Sequence, residues 1–171
     1  MIFCGLNPAS SAATAGHNFS NQSNRFWTVL HLAGFTDVRL QPQDERRLLQ
    51  YGCGITSVVG RPTKRADEVL SEEFLKAQLG FEVKIRRYAP RSIAFLGKRA
   101  LSIMIGKRDV EWGQHATGFA DTMTWVLPNP SGLNRSFSLD ALVGAYSEFQ
   151  TALFDSSLRL ARPAARSIQG Q

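Results

Sequence analysis

Two cysteines, Cys4 and Cys53, are too few for a four-thiolate iron–sulfur cluster, and they form no disulfide or metal-ligand spacing. The three histidines, His17, His31 and His115, are just as scattered, so no metal site is expected. No apolar run is long enough to span a bilayer and nothing resembles a signal peptide, so no membrane partner is expected and a cytoplasmic, nucleoid-associated location is the default. A Gly-x-Gly-x-x-Gly loop and a P-loop are both missing, which argues against a doubly wound small-molecule enzyme. Internal repeats and a compositional break marking a second domain are missing too.

What is present is a chain of 171 residues, 43% hydrophobic and 20% charged, enough for one substantial core. The reading is one domain over residues 1–154, expected to act as a monomer, then a weakly ordered basic tail over 155–171 with Arg159, Arg162 and Arg166 among Ser, Ala and Gln. A net charge of +6 and a pI of about 9.8 favour a polyanionic partner, although ribosomal, membrane-surface and simply soluble basic proteins share that balance.

Apolar runs bounded by Gly, Pro and Asn predict strands at Ile2–Gly5, Gly54–Val59, Ser92–Leu96 and Thr124–Leu127. Helical spacing predicts a helix entered through Ser23 and closed by Gly34, with Phe26, Trp27, Leu30 and Ala33 inward. A short helix follows over Pro42–Gln50, with Leu48 and Leu49 inward and Asp44, Glu45, Arg46 and Arg47 outward. The next opens at Ser71 with an acidic first turn, is interrupted at Gly80, and continues its apolar face through Phe81, Ile85 and Tyr88. Another carries Leu101, Ile103, Met104 and Ile105, and the last runs over Leu139–Leu153. Residues 107–118 read as irregular. Strands alternating with helices predict an α/β three-layer sandwich around a parallel sheet.

Two strand ends stand out. The first strand runs into Gly5-Leu6-Asn7-Pro8, a small-residue stretch follows, and Phe19 stands isolated in a polar loop. The fourth runs into Pro128-Asn129-Pro130-Ser131-Gly132-Leu133. In open α/β sheets ligands bind at the C-terminal strand ends, so Asn7 and Asn129 are placed over one pocket. Each Asn-Pro also has a purely structural reading, as a turn that closes its strand.

Together with Asn24-Arg25-Phe26-Trp27, these two motifs closely resemble those of the mismatch-specific uracil-DNA glycosylases, bacterial relatives of thymine-DNA glycosylase. The resemblance covers roughly residues 1–153. It implies a four-stranded sheet in the order 2-1-3-4 and a cofactor-free enzyme. That enzyme flips uracil out of duplex DNA containing a uracil–guanine mismatch, hydrolyses its N-glycosidic bond and leaves an abasic site. Thymine and modified cytosines are further substrates to consider. The chain opens inside its first strand, whereas relatives carry residues before it, so upstream residues are an expectation.

By this resemblance Asn7 positions the attacking water, and Phe19 stacks on the flipped pyrimidine. Ala9 and Ala12 line the pocket edge, and Asn129 faces the base and the bond being cleaved. Relatives more often carry Gly at the position of Ala9. Gly132, Leu133 and Arg135 resemble the wedge that fills the hole left by the extruded base. Arg61, Lys64, Arg65 and Lys98 are phosphate-contact candidates. Asn24 and Arg25 are expected to hold the loop carrying Phe19. An amide orients water without accepting its proton, so Asp67, in the loop after the second strand, is a candidate catalytic base. Such a base is typically worth ~10²–10⁴-fold; the alternative is a solvated acid ahead of a helix. No lysine is placed to form a Schiff base, so the backbone is left uncut. The rival readings are a non-catalytic mismatch-binding module and a small-molecule enzyme.

Overall fold

The structure, a computed structural model, describes the backbone of residues 1–161 and the side chains of residues 1–155. Its centre is a sheet of β1 (Ile2–Gly5), β2 (Gly54–Ser57), β3 (Ser92–Leu96), β4 (Gly113–Phe119) and β5 (Thr122–Leu127). The order is β2-β1-β3-β5-β4. The first four of these are mutually parallel, and their order is the expected one. The fifth strand, β4, is an addition: it pairs antiparallel with β5 at the edge, with an irregularity between His115 and Phe119. It falls in the stretch expected to be irregular, because two glycines and a broken alternation hide an edge strand.

Period-two alternation sends neighbouring side chains to opposite faces. Phe3, Ala94, Leu96, Trp125 and Leu127 join one apolar cluster, whereas Cys4, Ile93, Phe95 and Val126 join the other. On the first face, α2 (Phe26–Leu32) and α5 (Leu139–Ala161) pack against Phe3. The Phe3 ring meets Phe26, Phe35 and Tyr146 at centroid distances of 5.4, 5.3 and 6.1 Å. Truncating such a residue to Ala costs roughly 3–5 kcal/mol. On the second face, α3 (Ser71–Tyr88) and α4 (Arg99–Met104) supply Phe74, Phe81, Ile85 and Leu101. Cys4 and Cys53 are buried free thiols, as expected. Burial pushes both up, Cys53 to about 11.

Several local expectations are corrected. Helix α3 runs unbroken through Gly80, and Tyr88 at its end is exposed. Residues 42–51 form a 3₁₀ helix. Its three-residue turn puts Glu45, Leu48 and Tyr51 on one face and turns Leu49 out to 68% exposure. Asn24, not Ser23, accepts the Phe26 N–H at the start of α2. The small-residue stretch contains a short helix, α1 (Ser10–Ala15), closed by left-handed Gly16. Helix α5 continues to Ala161, so the basic tail expected from residue 155 begins inside it. Residues 162–171, and with them Arg162 and Arg166, lie outside the described residues, as does the Arg159 side chain. Among the described residues no helix is long and apolar enough to cross a membrane.

Candidate active site

Parallel strands end on one edge of the sheet, so the loops after β1, β2, β3 and β5 gather there. Between them lies a cavity of about 580 Å³. Asn7, Ala9, Ala12, Phe19, Asn129, Gly132 and Leu133 all line it, so the structure brings together the two asparagines, the small residues, the aromatic and most of the expected wedge.

Asn7 is held by the loop after β2. Its Nδ2 donates to the Arg61 carbonyl and to Thr63 Oγ1, both at 2.8 Å. A carbonyl only accepts, so the amide orientation is unambiguous. Thr63 Oγ1 in turn donates to the Arg65 carbonyl at 2.7 Å, which leaves it an acceptor toward Asn7. Both amide protons are therefore committed to the protein, and Oδ1 remains to accept from a water. The backbones are laced together as well: Ser10 N–H donates to Thr63 O at 2.8 Å and Thr63 N–H to Pro8 O at 3.1 Å. Thr63 is 4% exposed. It was not singled out by the sequence reading, and its one available signal is being the only hydroxyl in an otherwise basic loop.

Asn129 has the reverse arrangement. Its Oδ1 accepts the Ser131 N–H at 2.9 Å, and its carbonyl accepts Asn134 Nδ2 at 2.8 Å. The Asn129 Nδ2 has no acceptor among the described residues and is left as a donor, on a residue that lines the cavity. Tyr146, buried in α5, donates its hydroxyl to the Pro128 carbonyl at 3.2 Å and so ties this strand end to the core.

Arg25 corrects an expectation. It holds the loop after β5, not the one carrying Phe19. Its guanidinium donates to the carbonyls of Phe137 at 2.8 Å, Asn134 at 2.9 Å and Ser131 at 3.2 Å. Five donors in a rigid fork suit a ring of carbonyls. Gly132 is packed on Ser23 so closely that a Cβ there would meet the Ser23 carbonyl oxygen at 2.5 Å. From this braced turn Leu133 projects into solvent at 78% exposure. Arg135 is exposed beyond it.

The loop of Phe19 is anchored instead by Glu45, whose carboxylate accepts from Asn18 N–H at 2.8 Å and Asn18 Nδ2 at 3.0 Å. That role explains why Glu45 turns inward, against expectation. Phe19 adopts φ 53°, a left-handed conformation unusual for a side-chain-bearing residue. Its ring stacks on Phe26 with centroids 3.9 Å apart and planes 23° from parallel. One ring face thus rests on Phe26, and the residue also lines the cavity.

The basic candidates divide. Arg61 is paired with Glu73 at 2.7 Å, which holds that carboxyl down to about 2. Arg65 is paired with Asp67 at 2.7 Å. Lys98 lies over the Trp112 ring, 4.9 Å from its centroid. Lys64 has no ion-pair partner among the described residues and lines the cavity. Asp67 is not brought to the cavity. It is exposed, and the Arg65 guanidinium holds its carboxyl below the usual range. Arg99 braces the backbone beside it by donating to the Ala66 and Val69 carbonyls.

No group of three or more metal-ligating side chains forms among the described residues. The site offers a water acceptor, a donor on the opposite loop, an aromatic wall and an exposed apolar projection. A family model described as the Uracil DNA glycosylase superfamily matches residues 1–153 of this chain.

Proposed function

The chain belongs to the uracil DNA glycosylase superfamily, whose members are DNA glycosylases, and we propose that it is a monofunctional, mismatch-specific uracil-DNA glycosylase. The observation that carries this reading is the opposed polarity of Asn7 and Asn129 across one cavity. In this proposal a single domain over residues 1–154 extrudes uracil paired with guanine, and Leu133 enters the stack in its place. Phe19 stacks on the uracil. Asn129 Nδ2 donates to the base as negative charge develops on it. The C1′–N bond breaks with its electron pair leaving on the base. A water held by Asn7 Oδ1 adds its oxygen to the cation-like sugar and loses a proton to the departing base or to solvent. Ala9 and Ala12 leave room beside the pyrimidine C5, which supports extending the substrate range to larger bases.

Asp67 takes no part in this scheme, because its carboxylate faces Arg65. The chemistry then rests on departure of the base rather than on a strong general base, and modest turnover follows.

The test is a labelled duplex carrying one uracil opposite guanine or adenine, and the same strand alone, each treated with enzyme and then alkali. Cleavage only after alkali, fastest opposite guanine, supports the reading; equal rates opposite both bases refute mismatch specificity. Borohydride trapping of a Lys64-dependent covalent adduct would refute the monofunctional assignment. Leu133→Ala should slow the duplex reactions more than the single-strand reaction, and equal defects would reject the wedge.

A further inference from the structure

The chain has three tryptophans. Trp27 and Trp125 are buried at 4% and 6% exposure, whereas Trp112 is 41% exposed. Because β4 runs antiparallel to β5, with Gly113 opposite Val126, the residue just before β4 lies at the C-terminal edge where the cavity opens. There the Trp112 ring packs edge-to-face on Phe137, with centroids 5.3 Å apart and planes at 82°. Phe137 ends the loop that carries Leu133, and Arg25 grips its carbonyl.

The charges around the rim are not equivalent. Those of Arg61 and Arg65 are neutralised by Glu73 and Asp67. Lys98 is held by the face of Trp112. A ring quadrupole orients an ammonium without cancelling its unit charge. An orderly cation beside an exposed indole is the pairing that protein surfaces use for a nucleic-acid strand, with phosphate on the cation and a nucleotide on the ring.

We propose that Lys98 and Trp112 form a DNA contact beside the excision cavity, with Lys98 meeting a backbone phosphate and the Trp112 indole packing on the adjoining nucleotide. This deepens the glycosylase reading and rests on it. It adds a phosphate contact at the loop after β3 to the one that unpaired Lys64 offers in the loop where Arg61 and Arg65 are ion-paired. The aromatic contact with Phe137 couples it to the loop that carries the wedge.

The test uses intrinsic fluorescence and anisotropy with the full chain and a duplex containing a stable abasic analogue, so that no turnover is needed. DNA is expected to quench the emission, and Trp112→Phe should abolish that change, since the remaining tryptophans are buried. Trp112→Ala should weaken binding roughly 5- to 100-fold, the range for one nucleotide stacked on an aromatic side chain. Lys98→Gln should lower the slope of log K against log salt by about one. Unchanged emission at saturating DNA, or Trp112→Ala binding within twofold of wild type, would overturn the proposal. Uracil excision measured in parallel separates the two failures. A chain that excises uracil while Trp112 stays silent keeps the function and loses this contact.

Discussion

Asn7 and Asn129 are the same side chain at the ends of two parallel strands that border one cavity, yet their hydrogen bonds leave opposite poles free. The loop after β2 consumes both amide protons of Asn7 and leaves an acceptor. Its own turn consumes the oxygen of Asn129 and leaves a donor. The acceptor suits a water and the donor suits a departing anion. The pole that each amide leaves free is set by the partners that the fold supplies, not by residue type.

The largest break in this comparison is removal of the acceptor. Asn7→Ala should lower the single-turnover rate of uracil release roughly 10²–10³-fold, as for loss of one preorganised transition-state group. Affinity for the duplex should barely change. Undiminished cleavage would show that Asn7 does not hold the water. A reversal of polarity on the opposite loop comes next. Asn129→Asp keeps the acceptor that binds Ser131 N–H but replaces the donor by negative charge. It should cost about 10- to 100-fold in the chemical step, the scale of a hydrogen bond to a charged group. A rate equal to wild type would remove Asn129 from leaving-group stabilisation.

The placement of these two residues was legible in the sequence because Gly, Pro and Asn punctuate apolar runs, and a parallel sheet then puts both strand ends on one edge. Their polarity was not legible. It depends on the Arg61 carbonyl and on Thr63, residues 54 and 56 positions from Asn7, and a backbone acceptor leaves no mark in composition. The same holds for Arg25, whose acceptors are carbonyls more than a hundred residues away. Edge strand β4 was hidden by Gly113 and Gly118 and by its half-exposed pattern. Leu49 was misassigned because a helix of three residues per turn was read with a period of 3.6.

A smaller effect sharpens the comparison. Thr63 touches neither sugar nor base in the proposed scheme and acts by positioning Asn7. Thr63→Val retains shape and the backbone lacing to Pro8 and Ser10, but strands one Asn7 proton. The expected loss is about 2- to 10-fold in the single-turnover rate, the scale of one neutral hydrogen bond, with KM unchanged. Thr63→Ser should restore the rate, because it restores the hydroxyl; a Ser variant as slow as Val would mean that packing, not the hydrogen bond, sets the defect.

The smallest effect is expected at Asp67, the only carboxylate proposed from the sequence as a base. Its oxygens lie 3.0 and 2.7 Å from the Arg65 guanidinium, and that bond holds its carboxyl below the usual range. The sign of the pH effect follows. A carboxyl depressed in this way is already ionised well below neutrality, and it loses its charge only as pH falls beneath the ordinary carboxylate value. Any change in rate between about pH 5 and 8 must then come from other groups. Asp67→Asn should leave the single-turnover rate within about twofold and the shape of its pH profile intact, since the ~10²–10⁴-fold contribution of a general base is absent. Removing the carboxylate also frees the Arg65 charge, so DNA binding at low salt should tighten slightly and its salt dependence should steepen. The double variant Asn7→Ala, Asp67→Asn should be no slower than Asn7→Ala alone. A further large drop in the double variant, with a flattened pH profile, would mean that Asp67 leaves Arg65 and reaches the water once DNA is bound.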